Sequence, residues 1–121
     1  MIDDDPLLRK LMERHFSTKG YTTRTAENGE RALELLKEWH PDLILCDINM
    51  PVMDGYETLQ RIRAIPDYAN IPVVMLSAQS SPDYRVRARR LGATGYIVKN
   101  HRFASLTDEV LAYIPQTPAA L

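Results

Sequence analysis

Apolar positions recur along the chain with two different periods. Residues 6–18, PLLRKLMERHFST, place Leu7, Leu8, Leu11, Met12 and His15 on one helical stripe. Pro6 falls in the first turn, where its missing N–H costs nothing, and Gly20 supplies a stop. YTTRTA at 21–26 is short, alternating and β-branched, which predicts a strand. ENGERALELLKEW predicts a second helix, packing through Ala32, Leu33, Leu35, Leu36 and Trp39. A buried strand follows at 42–47, then a helix at 56–64 with Tyr56, Leu59, Ile62 and Arg63 at helical spacing.

The loop IPDYAN leads into a second apolar strand, IPVVMLSA, ending at Ser77. SPDYRVRARRLG predicts a helix capped by Ser81, with Pro82 next and Gly92 as its stop. TGYIVK predicts another strand, and SLTDEVLAYI a last helix capped by Ser105. PQTPAAL, residues 115–121, reads as linker or tail behind one domain at 1–114. Helices and apolar strands in alternation, joined by short connections, predict an α/β fold with a mostly parallel sheet covered on both faces.

One run in this pattern is unusual. In PDLILCDINMPVMDG, residues 41–55, the apolar stretch Leu43 to Cys46 ends on Asp47. A carboxylate is costly to bury without a partner, so the end of a buried strand needs a reason to carry one. In an open parallel sheet, ligands bind beyond the carboxyl ends of the strands. Those ends here carry Asp3, Asp4 and Asp5, then Asp47, Ser77 and Lys99. Clustered carboxylates favour a bound cation, and hard oxygen ligands suit Mg2+. With Lys99 and Ser77 beside it, such a site suits a phosphoryl group on Asp47, the cations neutralising its oxygens and Ser77 donating a hydrogen bond.

Composition narrows the field further. The chain has 121 residues, with 15 Lys plus Arg against 16 Asp plus Glu, so no charge excess calls for nucleic acid or an anionic membrane. One cysteine excludes an intramolecular disulfide, and His15, His40 and His101 have no metal-ligand spacing. No apolar run approaches transmembrane length, so a cytoplasmic domain without direct nucleic-acid or membrane contact is expected. Met50, Met53 and Met75 read as packing residues and Cys46 as an inert buried thiol. Arg85, Arg87, Arg89 and Arg90 crowd one helix, as a solvated face or a partner surface.

The segments DDDP, LILCDINMPVMDG, PVVMLSA and LGATGYIVK resemble, in order and spacing, the receiver domain of two-component response regulators, over nearly the whole chain. The resemblance implies a doubly wound, flavodoxin-like five-stranded sheet of order 2-1-3-4-5. It implies Asp47 as phosphoacceptor. Asp3 and Asp4 match the acidic pair, with Asp4 the direct Mg2+ ligand and Asp3 acting through water. Asn49 matches the backbone carbonyl on the metal, Ser77 the switch hydroxyl, Ala78 the small residue beside it, Lys99 the phosphate-contacting lysine and Tyr96 the aromatic switch. It also implies a histidine kinase or histidine phosphotransfer protein as donor. An output protein or domain, or a second copy of the chain, would meet the face of helix 82–91, strand 94–98 and helix 105–114.

The expected role is a switch that promotes its own phosphorylation and dephosphorylation and turns over no external substrate, and so is not an enzyme. A hydrolase built on a nucleophilic Asp is disfavoured, because such enzymes pair it with an acid two residues on and Asn49 stands there. The alternative is a degenerate receiver acting only as an interaction module. Two departures bear on it. Asn100 stands where the family places proline after the lysine, which predicts a trans Lys99–Asn100 bond and a rearranged loop at 99–104. Only Met1 and Ile2 precede the acidic pair, so the first strand is expected to be unusually short and the natural protein to begin upstream. A stub held by a buried Ile2, between 21–26 and 42–47, is the competing expectation.

Overall fold

A computed structural model describes residues 1–99 and 102–114. Its elements, in order, are α1 (Pro6–Thr18), α2 (Gly29–Leu36), β1 (Ile44–Asp47), α3 (Gly55–Arg63), a 3₁₀ turn (Pro66–Tyr68), β2 (Val73–Ser77), α4 (Pro82–Arg90), β3 (Gly95–Val98) and α5 (Phe103–Tyr113). The expected linker at 115–121 and the Lys99–Asn100 bond lie outside the described residues.

The three strands pair in parallel in the order β1-β2-β3, with Ile44 opposite Val73 and Val74 opposite Gly95. Ile2 continues the sheet on the far side of β1 through single parallel bridges to Cys46 and to Ala26. Across the sheet, therefore, the chain runs Ala26, Ile2, β1, β2, β3, which is the expected order 2-1-3-4-5 with its first two members reduced to single bridges. The strand expected over 21–26 is absent except at Ala26. A ladder needs a neighbour, and the neighbour here is only Met1 to Asp3: Ala26 N donates to the Met1 carbonyl at 2.8 Å and Asp3 N to the Ala26 carbonyl at 3.0 Å.

Alternation along the strands divides the core into two layers. Ile44, Cys46, Val73 and Met75 pack with Ala32, Leu36, Leu59, Ile62 and Ala88 of α2, α3 and α4. Leu45, Val74, Leu76 and Ile97 face the other way, onto Met12 and Phe16 of α1 and Leu106 and Val110 of α5. The α1 stripe is rotated from the expected one. Met12 and Phe16 carry the burial, while Leu7 and Leu11 are exposed, because a sheet face accepts a narrower arc than the expected stripe spans.

The helix ends follow from side-chain and backbone chemistry. Asp5 caps α1, accepting from Leu7 N and Leu8 N at 3.0 and 3.3 Å, and Gly20 and Gly92 take positive φ of 90° and 100° behind α1 and α4. Ser81 precedes α4 as expected, though its side chain makes no capping bond. Ser105 is not the cap of α5. That helix begins at Phe103, with Arg102 at the cap position and Leu106 N donating to the Arg102 carbonyl at 3.2 Å. The Phe103 ring stands edge-on to His15, centroids 5.6 Å apart, and this contact anchors the first turn earlier than capping chemistry alone predicts.

Candidate functional site

The carboxyl ends of the strands converge on one cluster. Asp3 follows the Ile2 bridge, Asp47 ends β1, Ser77 ends β2, and Lys99 follows β3. Carboxylate oxygens of Asp3, Asp4 and Asp47 lie within 4.8 Å of one another. Asp3 is fully buried and Asp47 only 5% exposed, whereas Asp4 faces solvent. Lys99 Nζ bridges the buried pair, donating to Asp3 Oδ2 at 2.9 Å and to Asp47 Oδ1 at 3.0 Å. Asp47 can end a buried strand because an ammonium from the far side of the sheet meets it there.

The backbone beneath the cluster is tightly held. Asp47 N donates to the Ile2 carbonyl at 2.8 Å, Ile48 N to the Leu76 carbonyl at 3.0 Å and Lys99 N to the Ser77 carbonyl at 2.7 Å, which ties the four strand ends together in sequence across the sheet. The loop after β1 folds back, with Gly55 N donating to the Ile48 carbonyl at 2.8 Å. A Cβ at Gly55 would lie 2.2 Å from the Asp47 carbonyl oxygen, so no other residue allows α3 to start this close to the site.

The acidic run divides its labour. Asp5 is the helix cap, and its N–H donates to Asp3 Oδ1 at 2.9 Å, while Asp3 and Asp4 belong to the cluster. Ser77 is fully buried, its Oγ accepting from Gln79 N at 3.0 Å. Tyr96 is half-buried and its hydroxyl donates to the Gln79 carbonyl at 2.8 Å, with the Arg85 guanidinium 5.0 Å above its ring. Ala78 and Asn49 are exposed beside Ser77 and Asp47. Every residue expected at the site therefore lies at this one edge.

Two participants were not foreseen. Gln79 joins Ser77 to Tyr96 through its backbone alone, and a backbone role leaves no mark on residue identity. Arg9, whose Nη1 donates to the Asp3 carbonyl at 2.8 Å, reaches back from α1 without a motif.

The electrostatics are those of a site short of positive charge. Burial, reinforced by the Asp3 charge and opposed by Lys99, raises the Asp47 carboxyl from 3.8 to about 6. Burial works to lower Lys99, but hydrogen bonds and charges from Asp3 and Asp47 outweigh it and hold the ammonium above its usual value. Burial, with Asp47 adjacent, keeps the Cys46 thiol protonated. Because Asp47 titrates higher folded than unfolded, its contribution to stability is full below its unfolded value and is lost as pH rises through about 6. Metal-free protein should thus gain roughly 1 kcal/mol between pH 7.5 and pH 5 from this group. Denaturant titrations in chelator should show the slope, and an unchanged slope in Asp47→Asn would assign it elsewhere.

Fold and edge together define a doubly wound domain that presents a lysine-paired carboxylate among further carboxylates. The family described as "Response regulator receiver domain" matches residues 1–111. The chain is 39% identical over 114 residues to the transcriptional regulatory protein PrrA of Mycobacterium tuberculosis, covering 94% of this chain and 48% of that one. Among solved structures it resembles the Vibrio cholerae chemotaxis protein CheY4, with 30% identity, 93% of each chain covered and a TM-score of 0.86. It also resembles the response regulator TrrA of Thermotoga maritima in complex with Mg2+ and BeF, with 31% identity, 93% and 94% covered and a TM-score of 0.77.

The chain belongs to the receiver domain family of two-component response regulators, the phosphoacceptor switches of those systems. It spans about half or less of the length of the curated relatives it matches. Among the described residues no helix is long and apolar enough to cross a membrane.

Proposed function

We propose that Asp47 is the residue that takes the phosphoryl group, from a histidine kinase or a histidine phosphotransfer protein in the cytoplasm. The observation that carries this reading is Lys99 Nζ held between Asp3 and Asp47 beside the three-carboxylate cluster. An Asp47 carboxylate oxygen attacks phosphorus, the phosphorus–nitrogen bond to the donor imidazole breaks, and solvent protonates the released ring. The donor set is all hard oxygen and fits Mg2+. Asp4 and Asp47 would hold the ion with the Asn49 carbonyl, and Asp3 through water. Bound there, Mg2+ supplies positive charge to the phosphoryl oxygens.

Lys99 then exchanges the Asp47 oxygen for a phosphoryl oxygen. Ser77 Oγ, which accepts from Gln79 N, still has its own hydrogen to donate to the phosphoryl group. A shift of Ser77 is passed through Gln79 to the Tyr96 hydroxyl, and so to the face formed by α4, β3 and α5, where an output protein, an output domain or a second copy would read it. The domain consumes one donor equivalent per cycle and turns over no other substrate, so it acts as a switch and not as an enzyme.

Acetyl phosphate with Mg2+ tests this reading. The protein should gain one acid-stable, hydroxylamine-sensitive phosphoryl group. Lys99→Ala should still be labelled yet fail to change the Tyr96 environment, as read by tyrosine fluorescence or NMR. A folded, Mg2+-bound protein that takes no label would be an interaction module instead.

A further inference from the structure

In a parallel sheet the N–H and carbonyl of one residue point to the same neighbour, and successive residues alternate sides. Ile44 N and Ile48 N donate to the Pro72 and Leu76 carbonyls on the β2 side, so Leu43, Leu45 and Asp47 turn the other way. There Ile2 takes the inner groups, its N–H meeting the Leu45 carbonyl and its carbonyl meeting Asp47 N. The Leu45 N–H and the Leu43 carbonyl come next along the same side. They face a groove of about 530 Å³ and meet no partner among the described residues. The opposite wall is also incomplete. Met1 fills the Arg24 carbonyl and Ala26 N, while Arg24 N has no partner among the described residues.

These free groups have the spacing of a ladder. One inserted residue would donate to the Leu43 carbonyl and accept from Leu45 N, and the residue before it would accept from Arg24 N. The Leu45 carbonyl is already taken by Ile2 N, which blocks the paired exchange of an antiparallel strand, so a strand parallel to β1 fits. Met1 packs with Met12 and Phe16, and Ile2 with Ala32 and Leu36. A strand continuing that alternation meets apolar surface on both faces, with Val110 and Ile114 on one and Trp39 on the other. Charge marks the two ends of the groove. At the inner end the Met1 amino group donates to the Arg24 carbonyl and has no carboxylate partner among the described residues. At the outer end Asp42 lies one residue ahead of Leu43.

We propose that this groove binds the extended, apolar C-terminal end of another polypeptide, seated as a strand parallel to β1 with its terminal carboxylate against the Met1 ammonium. One carboxylate oxygen accepts from Leu45 N and the other pairs with the amino group. The ladder groups require extended backbone, the two apolar faces require an apolar residue at every step, and the unpaired ammonium selects a free carboxylate. This site goes beyond the phosphoacceptor reading of Asp47 and does not depend on it.

The probe is acetyl-Lys-Lys-Val-Ile-Val-Ile with a free carboxylate, its lysines lying toward Asp42. Trp39 is the single tryptophan of the chain and lines the groove, so its emission reports occupancy. Emission should saturate at one peptide per chain, with a Kd on the order of tens of micromolar. The melting temperature should rise with peptide concentration. The C-terminal carboxamide should bind about two- to fivefold more weakly. N-methylation of the last residue removes the donor to the Leu43 carbonyl and keeps the apolar surface, and should cost about tenfold.

Equal binding of the N-methylated peptide, or uptake of several peptides per chain, would mark unspecific adhesion and overturn the proposal. A carboxamide that binds as tightly as the acid overturns the end-on placement. No saturable change in Trp39 overturns the site itself, and a free chain that sediments as a dimer and ignores the peptide has a second copy in the groove instead. Labelling of Asp47 by acetyl phosphate is read separately, so failure of one reading leaves the other standing.

Discussion

Asp47→Asn should take no phosphoryl group from acetyl phosphate under conditions where the wild type takes one, and it should also be the more stable protein. Both halves follow from the same placement. In the proposed transfer the carboxylate supplies the oxygen that forms the new bond to phosphorus as the bond from phosphorus to the acetate oxygen breaks. An amide has no anionic oxygen to offer and forms no acyl phosphate, so the loss is complete in kind and intact mass will read it. Asp3 and Asp4 cannot stand in for it. The Asp3 oxygens already accept from Asp5 N and Lys99 Nζ in a fully buried position, and Asp4 faces solvent.

The gain in stability comes from relief of charge. Burial and the neighbouring Asp3 raise the Asp47 carboxyl to about 6, so its ionised form is held against the preference of the fold at neutral pH. Removing that charge leaves Lys99 its 2.9 Å bond to Asp3 and leaves the amide oxygen as a neutral acceptor. Metal-free Asp47→Asn should therefore exceed the wild type by about 1–3 kcal/mol at pH 7.5. The margin should shrink toward pH 5, where the wild-type carboxyl takes up its proton, and shrink again when Mg2+ stabilises the wild type by binding. A variant that accepts label, or one less stable than wild type across this range, would contradict the assignment of Asp47.

The parts of this molecule legible in the sequence are those where one residue type has one physical use. The apolar runs ending at Asp47 and Ser77, Gly20 and Gly92 behind their helices, and Pro6 inside the first turn all sit where expected. The cluster itself was legible because strand ends in a parallel sheet share one edge, so Asp3, Asp47, Ser77 and Lys99 had to meet. What could not be read depends on partners distant in sequence. The segment 21–26 has strand-forming residues, yet pairing is decided by how much neighbour it has, and only Ala26 forms a bridge. Ser105 has capping chemistry, but the His15 ring settles where α5 begins. Exposure of Leu7 and Leu11 depends on the arc the sheet accepts. The Gln79 link and the left-handed φ of Val52 are backbone facts at positions whose side chains give no hint of them.

Four apolar, β-forming residues added ahead of Met1 should raise the melting temperature substantially. Ile2 is clasped by β1, its N–H donating to the Leu45 carbonyl at 2.7 Å and its carbonyl accepting from Asp47 N at 2.8 Å, while Ala26 holds the other side through the Met1 carbonyl and Asp3 N. Beyond it the sheet opens into a groove of about 530 Å³, lined by Met12, Phe16 and Val110 below and flanked by Arg24 and Leu43. The amino group of Met1 already donates to the Arg24 carbonyl at 2.8 Å, so the next ladder step is in register. At ~3.3 Å per residue, four residues would extend the strand by about 13 Å between the segment 21–25 and the approach to β1. Burying four Val or Ile side chains contributes about 1.5–3 kcal/mol each, and each new ladder bond about 0.5–1.5. Ordering the added backbone costs about 1–2 kcal/mol per residue, and the side chains somewhat more. The balance is a gain of about 3–5 kcal/mol, on the order of 10 °C or more for a domain of this size. A Gly-Ser-Gly-Ser extension of the same length supplies the ladder groups without the burial and should gain little. Both proteins must be monomeric, since an unseated apolar strand would instead join chains edge to edge. If the apolar extension melts no higher than the Gly-Ser one, the groove is not a seat for a strand, and the single Ile2 bridge is all that this position of the sheet requires.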